Sequence, residues 1–143
     1  MKKFYVAAPG AIIEEAHSVI QMIHGTGHLV TFDWTWMKED GGEGEMRDSW
    51  RDDRKGGEVH AEKERQAIKR CDIVALLLPG PSNASRGRGC YIEVGMGLAY
   101  GKEVWVVGME RFPFDSVFFS LPEVKFVTFA ELPDKVRSLE VVK

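Results

Sequence analysis

The segment from Ile73 to Leu78 constrains the fold of this chain more than any other. It reads Ile-Val-Ala-Leu-Leu-Leu without a polar residue, and it lies between Asp72 and the dipeptide Pro79-Gly80. A short apolar run between turn residues is typical of a strand that is buried on both faces. Such strands belong to parallel sheets that helices cover on both sides. The sequence therefore predicts an α/β fold.

Strands and helices are predicted to alternate along the chain. The predicted strands are Phe4–Ala8, His28–Phe32, Ile73–Leu78, Glu103–Val107 and Val124–Phe129. Helical spacing of apolar residues predicts helices over Ile12–Ile23, around Ala61–Cys71, over Cys90–Tyr100 and over Ala130–Val142. Right-handed crossovers favour a flavodoxin-like, Rossmann-like strand order 2-1-3-4-5, although neighbouring orders stay open. We expect one five-stranded parallel sheet in a single domain, residues 1–143.

Composition narrows the class of ligand. A formal net charge of -3 with mixed signs offers no broad basic face for a nucleic-acid polymer or an anionic membrane, so we expect a small-molecule ligand. No apolar run has membrane-spanning length, and the first residues are too weakly apolar for a signal peptide, which predicts a cytoplasmic protein. Cys71 and Cys90 lack the spacing of a metal site, so reduced thiols and no metal or cofactor are expected. A charged, glycine-rich loop is predicted over about 37–58.

Three loops follow predicted strands and should meet at one edge of the sheet, where ligands bind in parallel α/β folds. The first contains Ala8-Pro9-Gly10. In the second, Asp33 and Trp34 are candidates for contact with a base, with core packing of the tryptophan as the alternative. In the third, guanidinium groups and backbone amides ahead of a helix favour a phosphate site, with a solvated turn as the alternative; the residues are Ser85, Arg86, Gly87, Arg88 and Gly89.

Two glutamates are candidates for catalysis. Glu93 is expected in the first turn of a helix, where backbone dipoles favour an ionised carboxylate, although simple capping gives the same pattern. Glu64 is expected on the inward stripe of the preceding helix together with Ala61 and Ile68, an ion pair with Arg65 or Lys63 being the alternative. Two carboxylates at one cleft match the chemistry of glycoside cleavage. The four histidines show no ligand-like spacing and are expected at the surface or in turns: His17, His24, His28 and His60.

Several motifs together resemble the nucleoside 2-deoxyribosyltransferase superfamily. They are Tyr5 in the first strand, Cys71-Asp72 before the third strand, Gly89-Cys90-Tyr91-Ile92-Glu93-Val94-Gly95, and Ala99-Tyr100-Gly101-Lys102. The resemblance implies that Glu93 is the nucleophile and that Tyr5 positions it. It also implies that Glu64, eight residues before Asp72, takes the place of a family aspartate.

One departure from the family pattern concerns the phosphate. Free-nucleoside transferases have an aspartate six residues before the nucleophile, where this chain has Gly87 between Arg86 and Arg88. The branch that acts on nucleoside 5'-monophosphates is therefore the better match. That branch's serine and arginine after the first strand are here Pro9 and Ala11, so the phosphate would be held by the arginines of the third loop and by amides near Gly10.

The resemblance implies an N-glycosidase that cleaves (2'-deoxy)nucleoside 5'-monophosphates through a covalent glycosyl-enzyme. The alternatives are a transferase that exchanges bases between deoxynucleosides and a nucleotide-binding sensor without turnover. Proteins of this superfamily assemble as oligomers. We expect the aromatic segment Arg111–Ser120 to contact a second subunit, with Ser116 or Ser120 near its phosphate site.

Overall fold

A computed structural model of the chain describes residues 1–35, 54–78, 88–108 and 117–139. Its five strands are β1 Lys3–Ala7, β2 Leu29–Val30, β3 Ile73–Leu77, β4 Glu103–Val107 and β5 Val124–Val127. They form one sheet in the order β2-β1-β3-β4-β5, and every neighbouring pair is parallel. The predicted five-stranded parallel sheet and its strand order are confirmed.

Among the described residues, the α-helices that pack on this sheet are α1 Ile13–Gly25, α2 Arg54–Arg70, α3 Arg88–Ala99 and α4 Leu132–Arg137. The 3-10 helix Gly10–Ile12 follows β1, and the 3-10 helix Val117–Ser120 precedes β5. One core cluster joins α1 and α4 to the first face of the sheet, and a second cluster joins α2 and α3 to the opposite face. The apolar β3 run predicted helices on both faces of the sheet. All of its residues are apolar and are buried in the structure.

The alternation of side chains along β1 decides which residues face which helices. Phe4 and Val6 point into the cluster with α1 and α4, whereas Tyr5 and Ala7 point into the cluster with α2 and α3. Successive side chains of a strand point to opposite faces, so Tyr5 can reach α2 and α3 only. This register places the Tyr5 hydroxyl on the same side of the sheet as both candidate glutamates.

Some element boundaries differ from the prediction. Helix α2 begins at Arg54, so residues 54–58 are helical and not part of the predicted loop; the rest of that loop lies outside the described residues. Buried Ala67 and Ile68 fix the helix against the sheet, and extending an existing helix costs far less than starting one. Strand β2, which lies at the edge of the sheet beside β1, covers Leu29–Val30 and is shorter than predicted. Helix α4 ends at Arg137, before the predicted Val142.

Candidate active site

The topology brings α2 and α3 to the same edge of the sheet. Helix α2 ends shortly before β3 begins, so its earlier turns lie toward the carboxyl ends of the strands. Helix α3 follows β3, so its first turns lie at those same carboxyl ends. The two helices contact each other and β1. The fold therefore brings together Tyr5 of β1, Glu64 of α2 and Glu93 of α3.

A hydrogen bond joins two of these three residues directly. Tyr5 is fully buried, and its hydroxyl donates to Glu93 Oε2. Burial, followed by the charges of Glu93 and Glu64, raises the pKa of Tyr5 well above its usual value. The phenol therefore stays protonated at neutral pH and acts as a fixed donor to the carboxyl group.

The environment of Glu93 favours its protonated form. Burial and then the charge of Glu64 raise the pKa of Glu93 from 4.5 to about 8, against the hydrogen bond from Tyr5, which lowers it. Two carboxyl groups this close resist ionising together, because each negative charge raises the free energy of the other. The arrangement is that of a pair of acids that retains one proton near neutral pH.

The position of Glu93 in its helix differs from the sequence-based expectation. Helix α3 begins at Arg88, so Glu93 is its sixth residue and lies in the second turn, and no acidic residue lies in the first turn. The free amides of a helix N-terminus act within the first turn only. Burial and Glu64 govern the carboxyl group instead, and the expected stabilisation of the anion by the helix dipole is wrong.

Glu64 has a partner that the sequence did not suggest. His60 Nε2 lies 3.1 Å from Glu64 Oε1, while Arg65 pairs with Glu62 on the exposed side of α2. The side chains of His60 and Glu64 are only 12% and 25% exposed. Spacing of four residues on an inward-facing stripe is the signal that would have identified His60.

Other members of the predicted stripe are placed as follows. Ile68 and Cys71 are buried, as expected for residues that face the sheet, whereas Ala61 is exposed. One residue of helix turns by 100°, so Ala61 lies at the edge of the stripe that is centred on Glu64 and Cys71. The prediction that Ala61 faces the sheet is wrong.

The two thiols of this region are held in their neutral form. Cys71 and Cys90 are buried free cysteines. Burial raises the pKa of Cys71 to about 11, and burial together with the charge of Glu93 raises the pKa of Cys90 to about 12. A thiol is nucleophilic only as its anion, so neither cysteine competes with Glu93 for that role.

The loop after β1 is well packed at the carboxyl edge of the sheet. After β1, Pro9 is buried, Ala8 and Gly10 are half-buried, and the Pro9 carbonyl accepts a hydrogen bond from the Ile12 amide. These residues lie at the carboxyl end of β1, as predicted.

Trp34 is a core residue and not a platform for a base. Its ring is 6% exposed within the cluster of α1 and α4, and its indole Nε1 donates to the Val6 carbonyl at 2.7 Å. Both the apolar surface and the polar atom of the indole are thus satisfied inside the protein. Of the two alternatives for Trp34, the structure therefore shows core packing and not contact with a base.

Asp33 belongs to a short hydrogen-bond network that holds the second loop in place. Its Oδ1 accepts a hydrogen bond from the Thr35 amide at 2.9 Å and another from the Thr35 hydroxyl. The same hydroxyl lies 3.0 Å from His17 Nδ1 on α1. An aspartate that bonds the amide two residues on forms a turn, which gives Asp33 a structural role in addition to any contact with a ligand.

The remaining histidines are bonded to the backbone. His28 directly follows the turn at Thr26 and Gly27, as predicted, but it is buried, and its Nδ1 accepts a hydrogen bond from the Lys2 amide at 3.0 Å. His24 is exposed on α1 and accepts from the Val30 amide. Among the described residues no group of His, Cys, Asp and Glu could hold a metal ion.

The predicted phosphate site is described only in part. Arg88 and Gly89 open α3 at the carboxyl edge, and Gly89 is exposed. The other three residues of that site and one predicted subunit contact lie outside the described residues, namely Ser85, Arg86, Gly87 and Ser116. Ser120 is exposed at the end of the 3-10 helix Val117–Ser120.

An apolar surface lies on the outer side of α3. We define it by Ile92, Val117 and Phe118, which are 61%, 80% and 63% exposed. Beside it, a groove of about 580 Å³ separates α3 from the 3-10 helix, and Tyr91, Leu98 and Phe119 are among its lining residues. Glu93 does not line this groove. No described helix is long and apolar enough to cross a membrane.

Comparison with known proteins supports the fold. No protein-family model matches the chain, and no curated protein sequence matches it. The solved structure of the CMP N-glycosidase BcmB from Clostridium botulinum matches 98% of this chain and 100% of its own, with a TM-score of 0.60 and 16% identity. At 16% identity this match shows a shared fold, which agrees with the parallel α/β fold predicted from the sequence.

Proposed function

We propose that this protein is an N-glycosidase that hydrolyses the base–sugar bond of nucleoside 5'-monophosphates. The main observation in favour is the partly buried hydrogen bond from Tyr5 to Glu93, whose pKa the charge of a second carboxyl group, on Glu64, raises. Enzymes that cleave glycosidic bonds use a pair of carboxyl groups, one that attacks the sugar and one that moves the proton. The likeness of fold to a protein named CMP N-glycosidase favours a nucleotide as the substrate.

In the first step the ionised Glu93 carboxylate attacks the anomeric carbon. A bond forms between a Glu93 oxygen and that carbon, the C–N bond breaks, and its electron pair leaves with the base. Glu64, in its protonated form, gives its proton to the departing base. The step leaves a neutral glycosyl ester on Glu93 and a carboxylate on Glu64.

In the second step water resolves the ester. The Glu64 carboxylate takes a proton from the water, the oxygen attacks the anomeric carbon, and the bond to Glu93 breaks. The free sugar phosphate leaves, Glu93 is again a carboxylate, and Glu64 is again an acid. One water molecule is consumed, and the pair of glutamates returns to a state with a single proton.

The raised pKa of Glu93 determines when the nucleophile is available. Burial and then the charge of Glu64 raise that pKa to about 8, and the hydrogen bond from Tyr5 opposes them. The attacking form is the anion, so the proposed reaction should become faster as the pH rises toward 8.

The phosphate assignment rests on the sequence of the third loop. Arg86 and Arg88 bear charge that suits a 5'-phosphate, and Gly89 opens α3, where backbone amides favour anions. We expect Arg86→Ala and Arg88→Ala to raise KM for monophosphates by about tenfold or more, since a charge-assisted hydrogen bond contributes roughly 1.5–3 kcal/mol. KM for the matching free nucleosides should change little, and an equal rise for both would contradict phosphate binding there.

The proposal is tested by following base release chromatographically. The panel contains ribo- and deoxyribonucleosides and their 5'-monophosphates, each with and without a second free base. Release from monophosphates alone, abolished in Glu93→Ala, is the expected result. Turnover that requires the second base would identify a base-exchanging transferase, and no turnover with any compound would favour the nucleotide sensor.

We also propose that the chain forms a homo-oligomer through the apolar surface of Ile92, Val117 and Phe118. Exposed side chains of this size and number are costly in water unless a partner covers them. Ser120 lies at the end of the 3-10 helix that contains Val117 and Phe118, so it would lie near this interface. We propose that Ser120 or Ser116 then lies near the phosphate site of the neighbouring subunit.

A further inference from the structure

His60 lies beside the candidate active site, and the proposed two-step reaction does not use its side chain. It lies four residues before Glu64 on α2, and its Nε2 is 3.1 Å from Glu64 Oε1. We propose that His60 is a positioning residue that holds the Glu64 carboxyl group in the orientation needed to protonate the departing base. This inference rests on the proposed function and adds a residue to it.

The surroundings of His60 keep its imidazole in place. Its side chain is 12% exposed, and its ring meets the ring of Phe32 edge-on, with centroids 5.8 Å apart. A buried ring packed against an aromatic neighbour has few alternative rotamers, so the direction of Nε2 toward Glu64 is fixed by packing. A hydrogen bond from a fixed donor then orders the carboxyl group.

A second carboxyl–donor cluster on the same helix provides the contrast. Glu62 pairs with Arg65 and with Gln66, and the Glu62 and Arg65 side chains are 45% and 51% exposed. Such an exposed pair contributes little, because water competes for each partner. The His60–Glu64 pair is instead directed toward the side of the helix where the charge of Glu64 affects Tyr5 and Glu93.

The hydrogen bond has a chemical consequence for Glu64. When the imidazole donates from Nε2, Oε1 of Glu64 is occupied as an acceptor, which leaves Oε2 as the oxygen for proton transfer. One oxygen is thus anchored, and the other is available for proton transfer. Proton transfer requires the acidic oxygen to point at the departing base. A carboxyl group that is held in that orientation therefore accelerates this step.

The experiment compares two variants of His60 on two substrates. His60→Gln retains a side-chain donor near the position of Nε2, whereas His60→Phe removes the donor and retains an aromatic ring against Phe32. The substrates are the monophosphate that the wild-type protein cleaves and the 4-nitrophenyl glycoside of the same sugar 5-phosphate. 4-Nitrophenolate departs without protonation, so its release does not need Glu64 as an acid.

We expect His60→Phe to lower kcat for the monophosphate by about 10- to 100-fold, less than the roughly 10²- to 10⁴-fold contribution of a complete general acid. The same variant should lower kcat for the 4-nitrophenyl substrate by less than about threefold, and KM should change little for both. His60→Gln should recover most of the lost rate. The matched control His24→Gln, on the exposed side of α1, should behave as the wild type.

Several results would overturn the inference. Equal losses on both substrates in His60→Phe would indicate a general structural defect, and unchanged kcat on the monophosphate would show that His60 is not needed. Failure of His60→Gln to restore the rate while its melting temperature stays normal would also contradict it. A wild-type protein that cleaves no nucleotide would instead reject the proposed function itself, and this inference with it.

Discussion

At the scale of single residues, the protonation state of Glu93 governs what the site can do. Tyr5 donates to it, Glu64 repels its charge, and burial removes its water. The balance of these effects determines the pKa of Glu93, which is about 8. Glu93→Gln removes the group that titrates, and Tyr5→Phe raises the pKa of Glu93, so the two variants have different, measurable effects.

Glu93→Gln should abolish turnover and stabilise the fold at high pH. The pKa of Glu93 is about 8 in the folded protein and 4.5 as the reference value, so the stability from its neutral form is complete below pH 4.5. That stability is lost as the pH rises through 8, because the unfolded chain releases the proton first. The amide mimics the neutral acid, so the variant's gain in melting temperature over wild type should be small at pH 5 and larger at pH 9.

Thermal unfolding at both pH values, with base release measured on the same preparations, checks this. A melting temperature that exceeds wild type equally at pH 5 and pH 9 would show that ionisation of Glu93 is not responsible. The exposed residue Glu58 of α2 offers a matched control, since Glu58→Gln should leave activity and the pH dependence of unfolding unchanged.

Tyr5→Phe should shift the pH–rate profile to higher pH. The hydrogen bond from Tyr5 lowers the pKa of Glu93, so its removal raises that pKa further and leaves less of the nucleophilic anion at pH 7. A hydrogen bond to a charged group contributes roughly 1.5–3 kcal/mol, which corresponds to about a 10- to 100-fold loss of kcat/KM. Kinetics between pH 6 and 9 measure the shift, with Tyr100→Phe at an exposed position as the control. An unshifted ascending limb would argue against Tyr5 as the donor that tunes Glu93.

At the scale of elements, the site depends on how closely α3 approaches β3. Gly97 lies on the inner face of α3, and a methyl group there would come within 2.7 Å of Val74 Cγ2. Val74 is buried and β-branched, so it has little freedom to move aside. The absence of a side chain at Gly97 is therefore what allows α3, with Glu93 on it, to pack against the sheet at this distance.

Gly97→Ala should destabilise the protein by about 1–3 kcal/mol, because the added methyl group overpacks the helix–sheet contact. Gly95→Ala is the matched control on the same helix, since a Cβ at that position meets no atom within 4 Å. Alanine is favoured over glycine in a helix by up to about 1 kcal/mol, so the control should be neutral or stabilising. Urea unfolding of the two variants measures the difference, and equal stabilities would contradict the close approach.

At the scale of the whole molecule, the proposed homo-oligomer depends on the exposed apolar surface of Ile92, Val117 and Phe118. Helix α3 has apolar residues on its inner and its outer sides, with Val94 buried and Ile92 exposed. A helix that is apolar all around is usually covered on all sides. In the proposed oligomer, a partner subunit would bury Ile92 and the exposed part of Phe118.

Phe118→Glu should reduce the mass of the particle in solution. A charge in the centre of an apolar interface costs several kcal/mol unless it is paired, which is enough to dissociate a typical oligomer. The matched control is Val59→Glu, because Val59 is 52% exposed on α2, away from this surface. Analytical ultracentrifugation of both variants and the wild type measures the outcome. A wild-type monomer, or a mass unchanged in Phe118→Glu alone, would exclude this surface as the interface.

The sequence by itself determined the architecture and named the two glutamates. The β3 run and the helical stripes are local patterns of burial, and they predict a parallel sheet with helices on both faces. Right-handed crossovers then favour the order that the structure has over neighbouring orders. Glu64 and Glu93 were identified by an inward stripe and by family motifs. Both signals lie within a few residues of each glutamate.

The tertiary structure decided which groups of the site contact each other. Tyr5 and Glu93 are 88 positions apart in sequence, and their hydrogen bond depends on the register of β1 and on the distance of α3 from the sheet. The raised pKa of Glu93, the pairing of His60 with Glu64, and the burial of Trp34 likewise depend on distances between separate elements. Periodicity reports which face of an element is buried, but a charge responds to every group within a few ångströms, whichever element bears it.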